Sequence, residues 1–185
     1  MALFLLVQCF SCSDEGGNED ENGQDTAFEP IEITFTENFL IECNEIRTIE
    51  GVNLSLQAYT QQDLGEGFAE ELIGTCNLGA SSFFTENREG HPFEGQVAFF
   101  FFGGVFEIDF ATFEGVSRIT LDIEDNCGSG CSVAKLYNGD TITAEAANTV
   151  SNPNQEALVF DNISNEATRV RMFTGEGAIY RIRLE

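Results

Sequence analysis

Apolar residues recur at every second position over most of this chain. Ile31, Ile33 and Phe35 alternate with Glu32 and Thr34, and Val52, Leu54, Leu56 and Ala58 alternate with Asn53, Ser55 and Gln57. Phe106, Ile108 and Phe110 flank Glu107 and Asp109, while Ile119, Leu121 and Ile123 alternate with Thr120, Asp122 and Glu124. Val170 and Met172 alternate with Arg169 and Arg171, and Tyr180, Ile182 and Leu184 with Arg181 and Arg183. A period of two turns one set of side chains to a core and the other to solvent. Only 63–73 could hold a short helix. About ten strands with no long helical segment predict an all-β fold, an antiparallel β-sandwich of jelly-roll type.

Glycine punctuates the runs. Gly103-Gly104 predicts a hairpin between 97–102 and 105–110, and Asn138-Gly139 another between 132–137 and 140–144, because tight hairpin turns need positive φ. Residues 99–102 are apolar on both faces, as a covered central strand would be. The 18 Phe residues supply most of the core without any cofactor box.

The first residues follow a different pattern. An apolar stretch, 2–10, ends at Ser11-Cys12, and 13–26 carries six acids and no base. The stretch is too short to span a bilayer as a helix. Residues 6–12 resemble a bacterial lipobox, which implies cleavage before Cys12 and lipidation of that cysteine. Ser11 fits the small residue before the cut, although Cys9 stands where Leu is usual. Reading Cys9 as the lipid site fits Leu6 but puts the bulky Gln8 at the scissile bond. No Lys or Arg precedes the apolar run, so the translation start is expected upstream of Met1. The acidic run resembles the tag behind the lipidated cysteine of surface-exposed lipoproteins in certain Gram-negative bacteria. A plain solvated tether gives the same mechanics. The expected organisation is a signal segment 1–11, a lipidated cysteine and tether 12–26, and one domain 27–185. That places the chain at the outer membrane or cell surface, touching the membrane only through its lipid.

With 32 acids against 8 bases the net charge is −24, which excludes nucleic acid as a partner because phosphate binding needs clustered cations. Cys43, Cys76, Cys127 and Cys131 are an even set in an exported chain, and three pairings can be drawn. The short glycine-rich spacing favours Cys127 with Cys131, leaving Cys43 with Cys76. The rival is a thiolate metal site, which an oxidising compartment disfavours.

Four of the eight bases, Arg169, Arg171, Arg181 and Arg183, fall on the outward phase of the last two strands. If those strands are neighbours, one patch of four guanidinium groups results, suited to carboxylate or sulfate. The alternative is ion pairing with Glu32, Asp122 and Glu124, which alternation also turns outward. Tyr59 and Tyr137 fall on the polar phase and are candidate sugar platforms, whereas Tyr180 shares the core phase; there is no Trp. Asp122, Glu124, Asp125 and Asn126 form a candidate calcium cluster, and 18–29 nearly fits a calcium loop but lacks its first Asp and its flanking helix. No nucleophile elbow, zinc helix or phosphate loop is present, and His91 is the sole histidine, so no enzyme is expected.

From Val105 onward, the strand Phe-Glu-Ile-Asp-Phe, the run Gly115-Val-Ser-Arg-Ile-Thr-Leu-Asp-Ile, the hairpin around Leu136-Tyr-Asn-Gly-Asp, Ala157-Leu-Val-Phe and the arginine-bearing final pair follow in order. This order resembles the galactose-binding-like jelly-roll modules of bacterial surface proteins over 31–184. The resemblance implies a glycan-binding β-sandwich, sometimes calcium-stabilised and otherwise free of cofactors. The expected function is non-catalytic binding of an extracellular polysaccharide, an acidic one among the candidates. The alternative is a structural or accessory lipoprotein that binds another envelope protein.

Overall fold

The computed structural model describes residues 28–58, 82–85, 96–101, 104–125, 128–149, 154–174 and 177–185. These residues form 12 strands and no helix. The proposed helix at 63–73 lies outside them. One sheet contains β1 (Ile31–Thr34), β4 (Ser82–Thr85), β5 (Val97–Phe101), β7 (Arg118–Asp125), β10 (Asn154–Asp161) and β12 (Gly177–Leu184). The second contains β2 (Ile46–Ile49), β3 (Val52–Ala58), β6 (Gly104–Asp109), β8 (Ser132–Asn138), β9 (Thr141–Ala147) and β11 (Arg169–Thr174). All ladders between strands are antiparallel. The chain is therefore an all-β, two-sheet antiparallel sandwich.

The alternating residues build its core. Leu54, Ile108, Val170 and Leu136 from the second sheet meet Leu121, Ile182, Ile33 and Phe160 from the first in one buried cluster. Phe99 lies at the junction, its ring centroid 5.1 Å from Phe106 across the sheets and 5.5 Å from Phe35. Such ring pairs add about 0.5–1.5 kcal/mol each beyond the area they bury.

The Gly103-Gly104 hairpin does not form. β5 pairs with β12 and β4, whereas β6 pairs with β3 and β11, so the chain crosses between sheets here instead of turning back. A glycine pair allows either route, and the core decides between them: the crossing brings Phe101 and Phe106 face to face at 5.5 Å. The second expected hairpin is present, with Gly139 at φ 55° in the two-residue turn joining Asn138 to Thr141. A third, between β2 and β3, turns through Glu50 (φ 49°) and Gly51 (φ 82°), both left-handed as a type I′ turn requires.

That turn generates a prediction. Glutamate in the left-handed region is strained where asparagine is tolerated, so Glu50→Asn is expected to add about 0.5–1 kcal/mol. Gly51→Ala is expected to lose about 1–2 kcal/mol from backbone strain alone, and its Cβ would also stand 2.9 Å from Phe113 Cζ. Paired urea melts check both, and a destabilising Glu50→Asn would contradict the assigned turn.

Candidate functional site

On the outer face of the second sheet, residues from five strands fall into cross-strand rows. Ser55 pairs with Glu107, Glu107 with Arg171, Arg171 with Lys135 and Lys135 with Glu145. A parallel row runs Asn53, Asp109, Arg169, Tyr137. Opposite charges thus stand beside one another at Glu107–Arg171, Lys135–Glu145 and Asp109–Arg169, while Arg171 and Lys135 are like-charged neighbours. Arg171 Nε donates to Glu107 Oε2 at 2.7 Å, and Lys135 Nζ lies 3.9 Å from Glu145 Oε2. Arg169 Nη2 donates to Gly139 O at 2.7 Å and Asp140 Oδ1 at 2.8 Å, locking the hairpin tip to the sheet.

Tyr137 is not the exposed platform that its polar phase predicts. It is 1% exposed, with the guanidinium carbons of Arg171 and Arg169 at 5.1 and 5.4 Å from its ring centroid. Two cations over one ring gain cation–π attraction while shielding it from solvent. Burial works to lower the Arg171 pKa, but its hydrogen bond to and attraction by Glu107, with a smaller share from Tyr137, raise it above its ordinary value.

Arg181 and Arg183 are elsewhere. β11 and β12 belong to different sheets, so the four arginines make two separate pairs, one on each outer face, and not one patch. Asp122 serves the second pair: Arg181 Nε donates to Asp122 Oδ2 at 2.7 Å, Arg181 Nη2 lies in an ion pair with the same oxygen at 2.7 Å, and Arg183 Nη2 donates to Oδ1 at 3.2 Å. Glu32 Oε2 lies 3.6 Å from Arg181 Nη1. Glu124 accepts hydrogen bonds from the Tyr180 hydroxyl and from Gln155 Nε2 at 3.2 Å.

Tyr180 also departs from its expected phase. A bulge between Ile179 and Arg181 sets two residues against Asp122, so Tyr180 leaves the central core for a small cluster with Ala98 and Ala178. Alternation predicts solvent for Thr120, Asp122 and Glu124, yet all three are buried.

For the calcium cluster, Asp122 and Glu124 are engaged as above, while the Asp125 side chain and Asn126 lie outside the described residues. No group of three His, Cys, Asp or Glu suited to a metal occurs among the described residues. Cys43 and Cys131 are both disulfide-bonded; Cys76 and Cys127 lie outside the described residues, as do Cys12, Tyr59, His91 and residues 18–27 of the calcium-like loop. The turn before Cys131 hangs on Asn148, whose Oδ1 accepts from Ser132 N at 2.9 Å and whose Nδ2 donates to Gly128 O at 3.1 Å.

Sequence reasoning singled out neither Glu107 nor Lys135 as site residues. Both stand on the polar phase of their strands, but only long-range pairing shows that they flank Arg171. No protein-family model matches the chain, and a comparison with curated proteins gives no match either.

The Asp122 cluster is testable. Its carboxylate is 4% exposed and forms ion pairs with two guanidinium groups. Asp122→Asn is expected to cost about 2–4 kcal/mol, near the lower end for buried pairs because both arginines stay partly solvated. Arg183→Gln should cost less than about 1 kcal/mol. Equal losses in denaturant melts would show that Asp122 is not the hub.

Proposed function

We propose that this chain is a non-catalytic, lipid-anchored surface module that binds an extracellular polysaccharide on the outer face of its second sheet. The observation that carries this reading is the row Ser55, Glu107, Arg171, Lys135, Glu145, in which five neighbouring strands each supply one polar side chain. Strands repeat at about 4.8 Å, so a chain lying across the strands would meet Glu145, Lys135, Arg171 and Glu107 in turn, with Ser55 buried at the end of the row. The ion pairs and the stacked Tyr137 hold these groups in place before binding, which lowers the entropic cost of ordering them. The row contains two acids and two bases, which supports recognition by hydrogen bonds more than by net charge. A neutral polymer suits it better than an acidic one.

The remaining parts of the reading agree with this role. A lipid on Cys12 and the acidic tether would hold the domain off the cell surface. Disulfides pairing Cys43 with Cys76 and Cys127 with Cys131 would suit an exported domain, and the bonded state of Cys43 and Cys131 is compatible with that pairing. The repeated sheet changes from β5 to β8 and from β9 to β12 support the jelly-roll type. No cofactor is needed. One observation favours a protein partner instead: Ile46, 66% exposed, lies on the edge strand β2, where another chain could add a strand.

Affinity electrophoresis of the full chain through gels containing neutral, carboxylated or sulfated polysaccharides tests the proposal. Retardation by a neutral polymer is expected, with Lys135→Ala and Arg171→Ala together weakening it by about tenfold or more. Retention that salt abolishes would favour an anionic polymer held by the arginines. A folded protein retained by no polymer, yet co-purifying with an envelope protein unless Ile46 is changed to Glu, would replace this reading with the second.

A further inference from the structure

On the other sheet, β12 changes neighbour partway along one edge. Residues 177–179 pair with β5, and 181–184 pair with β1. The end of β1 and the start of β5 therefore meet beside the bulge, and between them lies a cleft of about 410 Å³. Glu32, Thr34, Gln96 and Arg181 supply its polar lining, and Phe35 and Val97 its apolar lining. A few convergent polar groups beside apolar wall, in a volume of this size, are the usual make-up of a small-molecule site.

We propose that this cleft is a second binding site, separate from the face of the second sheet, for one neutral sugar unit. Arg181 is fixed by the hydrogen bond from Nε to Asp122 and by the ion-pair contact of Nη2 with the same oxygen, which leaves the N–H groups of Nη1 to a ligand. Nη1 stands 3.6 Å from Glu32 Oε2, outside hydrogen-bond range. A donor and an acceptor at this separation match two neighbouring hydroxyl oxygens on a pyranose ring: the carboxylate accepts from one and the guanidinium donates to the other. Thr34 and Gln96 offer further hydrogen bonds, and Phe35 and Val97 an apolar wall for ring C–H groups.

Charge selects the ligand class. Arg181 and Arg183 are balanced by Asp122 and Glu32, so among the described residues the cleft has no surplus cation for sulfate or carboxylate, and Glu32 would repel either. Glu32 is half exposed and can turn toward a ligand without breaking a buried contact.

The test is amide chemical-shift mapping on the full chain in detergent, titrated with D-galactose, D-glucose, D-mannose, their trisaccharides and D-glucuronate. Weak binding of a neutral sugar is expected, with shifts at Thr34, Gln96 and Arg181. Glu32→Gln, which removes an exposed charge without a packing change, should weaken it at least tenfold, as should Gln96→Ala. Binding of trisaccharides without monosaccharides would support the site and identify its source as a polysaccharide chain. Shifts confined to Lys135, Arg171 and Glu107 would overturn this site while supporting the face of the second sheet. Shifts at the cleft alone would do the reverse. No shift with any neutral sugar, or tighter binding of glucuronate, would overturn the proposal.

Discussion

Strand β12 hydrogen-bonds three partners, and the first sheet depends on where it changes between two of them. Its β7 edge is paired along nearly its whole length, while its other edge serves β5 and then β1. The change coincides with the bulge at Tyr180, which adds one residue opposite Asp122 and so restores Arg181 to the outer face and Ile182 to the core. Without the extra residue the pleat would continue in phase from Ile179 and turn Arg181 toward the core and Ile182 away from it. The bulge therefore has an energetic cause: apolar burial of Ile182 and Leu184 together with delivery of Arg181 to a buried carboxylate.

Asp122 shows how an acidic chain uses its few cations. A carboxylate taken from water is costly unless it is paired and hydrogen-bonded, and Asp122 accepts hydrogen bonds from Arg181 Nε and Arg183 Nη2 and makes an ion-pair contact with Arg181 Nη2. On the opposite face, Glu107 plays the corresponding part toward Arg171, with Tyr137 filling the space beneath. Each face thus carries arginines whose charge is already answered, which turns both surfaces from electrostatic traps into arrays of fixed hydrogen-bonding groups.

The two faces differ in shape. On the second sheet, six strands lie in unbroken succession, giving cross-strand rows of polar residues. The first is interrupted beside β12, and the interruption leaves a cleft lined by Glu32, Thr34, Gln96 and Arg181. Shape here follows from strand pairing, and chemistry from which residues occupy the polar phase.

Alternation was enough to assign the all-β class and most of the core: Leu54, Ile108, Leu121, Val170 and Ile182 are buried as their phase requires. It was also enough to put Arg169, Arg171, Arg181 and Arg183 on outer faces, because a period of two is a local property of the backbone. It could not distinguish a hairpin at Gly103-Gly104 from a crossing between sheets, since both need the same glycine freedom. It failed at Tyr180, where one inserted residue reverses the phase, and at Tyr137, which is outward yet covered by two guanidinium groups. Which strands lie side by side, and hence that Arg171 meets Glu107 while Arg181 meets Asp122, was decided only in the tertiary structure. Those pairings join residues far apart in the chain, and they are selected by how the two apolar faces close on one another.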